Sequence, residues 1–258
     1  MTPWELFAIA LAGGAAGFIN TVAGSGTLVT FPTLLAFGVP PVTANVSNNI
    51  GLVPGAVSGV IGWRHELTGQ RPRLLRLASA SLAGGVLGAV LLLSLPKSAF
   101  GAIVPVLVGL GIVLVAVGPW VNRRVAAAAA SEAGDEPLDV SVDRPWLWPA
   151  VAATGVYGGY FGAAQGILLM AVLGLGTHDT LHRDNALKNV LAGLVNAVAA
   201  VIFIAVAEVD WVIVAVIAVG SVVGAQLGAR IGRRMPALLL RAFIIVVGVT
   251  ALAVFMTR

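Results

Sequence analysis

Cysteine is absent from all 258 residues, which excludes disulfides, thiol catalysis and cysteine-ligated metals. Charge is scarce too: Asp, Glu, Lys and Arg make up 10% of the chain, against about a quarter in soluble proteins. Histidine occurs three times, and His65, His178 and His182 all fall in segments that read as solvated loops. Neither HExxH nor paired acidic residues lie inside an apolar run, so no metal or other cofactor is expected and Ser25 in "AGSG" has no base to activate it. The chain is therefore not read as an enzyme. A G-x-x-x-x-G-K-[ST] loop is also missing, which removes ATP as a direct energy source.

What is there is apolar: 59% of the residues are hydrophobic and the mean hydropathy is +0.99. Runs such as "LASASLAGGVLGAVLLLSL" (77–95) and "WVIVAVIAVGSVVGAQLGA" (211–229) approach the ~20 residues that cross a hydrocarbon core of ~30 Å. They are continuous rather than alternating, which predicts helices and not a β-barrel. The N-terminus carries Glu5 and no basic residue, so it reads as a first membrane segment rather than a cleavable signal. The formal charge of +4 marks cytoplasmic loops of a multi-pass protein in a lipid bilayer, not a nucleic-acid partner. The fold class is an all-α integral membrane protein.

Charge, glycine and proline divide the chain into apolar segments at about 4–22, 26–38, 43–63, 74–95 and 99–121, then 146–164, 166–176, 182–206, 210–230 and 236–256. Between the two sets lies a polar interval containing "SEAGDEP", which gives a first repeat over 1–121, a cytoplasmic linker over 122–145 and a second repeat over 146–258. The halves overlay with Gly17 on Gly155, Gly24 on Gly162, Gly38 on Gly176 and, after a two-residue shift, Asn49 on Asn189. The loop after the third segment holds Arg64, Arg71, Arg73 and Arg76, while its counterpart "AEVD" (207–210) holds no basic residue. After the fourth segment the asymmetry reverses: Lys97 stands alone, against Arg230, Arg233, Arg234 and Arg241. Basic loops being cytoplasmic, five segments per half imply a polytopic bundle of two inverted five-segment repeats. Segments 26–38 and 166–176 are short enough to be broken or re-entrant.

Irregular backbone at membrane depth is tolerated only inside protein or beside a wet cavity. The glycine break in "NTVAGSGTLVTFPTLL" (20–35) would create helix ends whose free N–H groups attract an anion, with Asn20, Thr21, Ser25, Gly26 and Thr27 as hydrogen-bonding neighbours. Gln165 sits at the matching break in "YFGAAQG". The third segment opens with Asn45, Ser47, Asn48 and Asn49, and its partner carries Asn185, Lys188, Asn189 and Asn196 at offsets 0, 3, 4 and 11, which share one helical face. An ammonium inside a membrane segment is costly and functional by default. Lys188 lies only about two turns into its segment, so snorkelling to the headgroups stands as its other reading. Gly17, Gly38 and most other glycines read as helix-packing residues, while Glu208 and Asp210 read as helix terminators.

The stretch "GFINTVAGSGTLVTFPTLLAFGVPPVTANVSNNIG", followed in the second half by "GVYGGYFGAAQGILLMAVLGLG" and "DNALKNVLAGLVNAV", resembles the sulfite exporter TauE/SafE family of membrane permeases. The resemblance covers the chain apart from the acidic linker. Ala163, Ala164 and Gln165 stand where the family often has more glycine, and Met170 where proline is frequent. The resemblance implies a permease for small anions, notably sulfite and organosulfur anions such as sulfonates, in the bacterial cytoplasmic (inner) membrane. A secondary carrier of the alternating-access kind is the expected mechanism, with the coupling ion, proton or sodium, left open. Two readings stand beside it: an exporter of a neutral or cationic metabolite, and a membrane scaffold whose polar stripes only join helices.

Overall fold

A capping box opens the chain: the Glu5 amide donates to the Thr2 hydroxyl (3.3 Å) and the Thr2 amide to the Glu5 carboxylate (2.8 Å), with Pro3 preset for the first turn. In the computed structural model, which describes residues 1–132, 143–177, 179–231, 242–247 and 249–250, every regular element is helical. In chain order these are α1 (Pro3–Val22), α2 (Thr27–Ala36), α3 (Pro41–Trp63), a 3₁₀ turn (Arg64–Leu67), α4 (Arg71–Ser94), α5 (Lys97–Glu132), α6 (Leu147–Tyr160), α7 (Gln165–Gly176), α8 (Leu181–Val206) and α9 (Trp211–Ile231).

Five of these are long and apolar enough to cross a membrane: α1, α4, the Ala99–Gly118 stretch of α5, α8 and α9. The 23-residue α3 has comparable length but carries the asparagines of its first turns on an otherwise apolar helix. Helices α2 and α7, with 10 and 12 residues, reach only ~15 and ~18 Å at ~1.5 Å per residue, well short of a ~30 Å core. Two sequence expectations shift. The last segment of the first half does not stop at 121, because α5 continues to Glu132 through the strong helix formers Ala126–Ala130. His182 lies not in a loop but in the first turn of α8, where it stacks on Trp63 with ring centroids 5.9 Å apart. The remainder of the polar linker (133–142) and most of the tenth segment fall outside the described residues.

Helices pack across the two halves. α1 lies on α9 and α6 lies on α4, and both crossings depend on small residues. A methyl at Gly224 would collide with the Gly14 carbonyl, and one at Gly88 with the Val156 carbonyl, so backbones touch without intervening side chains. The outward faces are apolar, with Phe7 and Leu11 on α1, Val86 and Val90 on α4, and Val201 and Ile204 on α8 all exposed. The interior, conversely, holds Asn45, Asn48, Asn185, Lys188 and Asn189. That inside-out distribution suits a multi-pass protein surrounded by lipid.

One end of the bundle is fastened by charge. Arg73, at the start of α4, pairs with Asp143 (2.7 Å) ahead of α6 and with Asp179 (2.8 Å) between α7 and α8, while Arg76 joins Asp143 and Arg183 joins Asp179 at 2.8 Å each. The Asp143 and Asp179 side chains are nearly enclosed, at 5% and 6% exposure. Burial alone would raise the Asp179 carboxyl, but hydrogen bonds from Arg183, the Thr180 amide and Arg73 outweigh it and hold it below the usual carboxylate value. Since its folded value lies below the unfolded one, this contribution is complete above about pH 4 and disappears as pH falls through the folded value. Thermal unfolding of the purified protein should therefore shift downward on acidification below about pH 4. Arg73→Ala should lower stability by about 3 kcal/mol at neutral pH and flatten that acid response.

Candidate anion cavity between two helix breaks

Both breaks are built the same way. α1 ends where the amides of Ala23 and Gly24 both donate to the Ile19 carbonyl (2.7 and 2.9 Å), and Gly24 takes the left-handed conformation at φ +83°. α6 ends where Phe161 and Gly162 both donate to the Tyr157 carbonyl (3.0 and 3.1 Å), with Gly162 at φ +77°. The second break also places Ala164 at φ +63°, a conformation that costs a non-glycine residue about 1 kcal/mol. The breaks then touch: the Gly166 amide donates to the Gly24 carbonyl at 3.0 Å.

Ending a helix inside a membrane protein leaves carbonyls without intrahelical donors, each costing several kcal/mol if it stays unpaired. The asparagine stripes supply those donors, and they do so crosswise. From α8, Lys188 donates to the Asn20 carbonyl at 2.9 Å, and Asn185 and Asn189 both donate to the Thr21 carbonyl at 3.3 Å. From α3, Asn45 donates to the Tyr160 carbonyl at 3.1 Å. Each half thus caps the broken helix of the other. Lys188, with 1% of its surface exposed, points into the protein rather than toward headgroups. Asn45→Ala would leave the Tyr160 carbonyl without this donor and should cost about 1–3 kcal/mol, read as a lower unfolding temperature.

Where the breaks meet α8 there is a cavity of about 40 Å³, room for about three water molecules at ~10–15 Å³ each. Of the residues singled out by sequence, Asn20, Thr21, Thr27, Gln165, Lys188, Asn189 and Asn196 line it. The others stand behind or beside that wall. Gly26 donates its amide to the Asn20 side chain at 2.7 Å and so braces the break. Asn48 accepts from the Thr30 hydroxyl and donates to Thr27, while Asn49 donates to Asn196 at 3.3 Å. Ser25 is fully buried and its hydroxyl has no partner among the described residues, and Asn45 and Asn185 are used as caps. Ser47 accepts the Asp210 amide at 3.0 Å, while the Asp210 carboxylate receives the Val212 and Ile213 amides at the start of α9.

The sequence reading assigns no binding role to the rest of the wall, Gly24, Ala56, Gly162, Gly166, Ala192 and Gly193. The glycine breaks themselves were the available signal for three of these. Ala56, Ala192 and Gly193 are small residues on long helices, indistinguishable in sequence from packing positions. Electrostatically the wall is simple: among the described residues, Lys188 is the one charged side chain on it and no carboxylate lines it. Asp184, one turn earlier on α8, instead accepts the Thr177 hydroxyl at 2.8 Å. Gln165 is 3% exposed and its side-chain NH₂ has no hydrogen-bond partner among the described residues, so an unspent donor borders the cavity.

A family model described as "Sulfite exporter TauE/SafE" matches residues 9–256 of the chain. Among curated proteins, the "Probable membrane transporter protein ORF9" of Sinorhizobium sp is 34% identical over 92 residues, which is 36% of this chain and 35% of that protein. The "Probable membrane transporter protein YfcA" of Escherichia coli K12 is 28% identical over 153 residues, 58% of this chain and 52% of that protein. A "Probable membrane transporter protein" of Haemophilus influenzae is 29% identical over 96 residues, 37% and 38% of the respective chains. The matched regions span about a third to a half of these curated relatives. No solved structure gives a significant match.

Proposed function

The chain belongs to the sulfite exporter TauE/SafE family, and on that premise we propose that it is a secondary transporter for a small anion, sulfite or an organosulfur anion such as a sulfonate. Transport runs across the bacterial cytoplasmic membrane by alternating access, with a proton or sodium ion as the coupled species. The observation that carries the reading is the cavity wall: among the described residues it holds one ammonium, Lys188, set among neutral amides, hydroxyls and glycine backbone, and no carboxylate. Such a surface attracts an oxyanion, whose several acceptor oxygens can share Lys188, Asn189, Gln165 and Thr27. A cationic substrate would meet like charge there.

Alternating access needs two related bodies around a fixed site, and three features support two inverted repeats. Gly24 and Gly162 occupy matching positions with the same left-handed conformation. The first helix of each half packs on the fourth helix of the other, α1 on α9 and α6 on α4. The capping of broken helices is also exchanged between halves. The arginine-rich end around Arg73 would face the cytoplasm.

The test is flux. Protein reconstituted in liposomes should move labelled sulfite with saturation, and sulfonates should compete. Competition by organic cations without competition by anions would transfer the assignment to a metabolite exporter, and absence of any saturable flux would favour a scaffold.

A further inference from the structure

Resting on the anion-cavity reading, we infer that the site selects by charge state: it accepts singly charged oxyanions and rejects doubly charged ones of the same shape. Among the described residues the cavity holds one cationic group, Lys188, which is buried and already donates one of its three protons to the Asn20 carbonyl. The other donors that border the space are neutral, Asn189 and Gln165 among them. One bound negative charge balances the ammonium. A second would stay uncompensated beside a lysine that is itself buried, where unpaired charge is penalised heavily.

A second observation points the same way. The carboxyl-terminal end of α1, where backbone dipoles present partial negative charge, lies against the cavity through Asn20 and Thr21. Their carbonyls are partly offset by Lys188, Asn185 and Asn189, so part of the α8 donor set is committed to them before an anion arrives. Arginine does not redress the balance: Arg73, Arg76 and Arg183 are engaged with Asp143 and Asp179, and no arginine among the described residues lines the cavity. Size works with charge. A space of about 40 Å³, equal to about three waters, suits a compact oxyanion such as hydrogen sulfite.

The test uses anions whose charge is fixed near neutral pH, so that no protein titration enters. Purified full-length wild-type protein is titrated at constant ionic strength with methanesulfonate and nitrate as monoanions and with sulfate and thiosulfate as dianions, reading thermal stabilisation. The expected result is half-maximal stabilisation by the monoanions at concentrations at least tenfold below those for the dianions, with the response abolished in Lys188→Gln. Equal or tighter action of sulfate and thiosulfate, while the Lys188→Gln response is lost, would overturn the charge selection and leave the anion cavity standing. A response unchanged in Lys188→Gln would place the anions elsewhere and overturn both. No stabilisation by any of the four anions would also overturn both readings, and the wild-type series alone decides the charge selection if the variant does not fold.

Discussion

Lys188→Met is expected to lower sulfite flux through reconstituted protein at least about a hundredfold, because an anion left unpaired in a buried site costs at least about 3 kcal/mol and each ~1.4 kcal/mol is a factor of ten. Methionine keeps an unbranched side chain of similar length, so packing around α8 should survive. The Asn20 carbonyl loses its 2.9 Å donor, a further cost of about 1–3 kcal/mol to stability. Normalising flux to monodisperse protein in size-exclusion chromatography separates the two effects. Flux at the wild-type level in folded Lys188→Met would remove the ammonium from the transport site.

Gly24→Ala should destabilise the protein severely, because a strained backbone and a backbone clash coincide at one residue. Its left-handed φ of +83° costs a non-glycine residue about 1–2 kcal/mol, and the added carbon would overlap the Gly166 backbone. To make room the two breaks must separate, losing the 3.0 Å bond between the Gly166 amide and the Gly24 carbonyl and opening the cavity wall. A total of about 4 kcal/mol or more follows, enough that little folded protein should be recovered. Gly38→Ala is the control. Gly38 has a similar φ of +79° but nothing within 4 Å of an added methyl, so only the conformational cost of about 1–2 kcal/mol applies. If the two variants unfold at the same temperature, the contact between the breaks does not hold the structure together.

Much of this arrangement is legible in the sequence, and the reason is local. Gly24 and Gly162 interrupt apolar runs where a helix would otherwise continue, and both adopt the backbone that glycine permits at low cost. Asn185, Lys188 and Asn189 announced a polar face by spacing alone, because 3.6-residue periodicity is a property of a single helix. What that face does was not legible. The sequence suggests free N–H groups at the breaks as partners of an anion, and nothing in the spacing tells that the asparagines and Lys188 engage the carbonyl ends of α1 and α6. Partners such as Asn45 and Tyr160, or Arg73 and Asp179, lie 115 and 106 positions apart, and only the crossing of helices brings them together. The same holds for Ser47, whose place on a polar helix face resembles that of its neighbours while its hydroxyl accepts from Asp210.

The most direct measurement of the central claim is a structure of the protein solved with selenite, a heavier analogue of sulfite. The prediction is selenite in the cavity between the breaks, with an oxygen within hydrogen-bonding distance of Lys188 Nζ and with Asn189 and Gln165 among its neighbours. Selenite ordered only outside that cavity, or a cavity filled by water alone at saturating selenite, would contradict it.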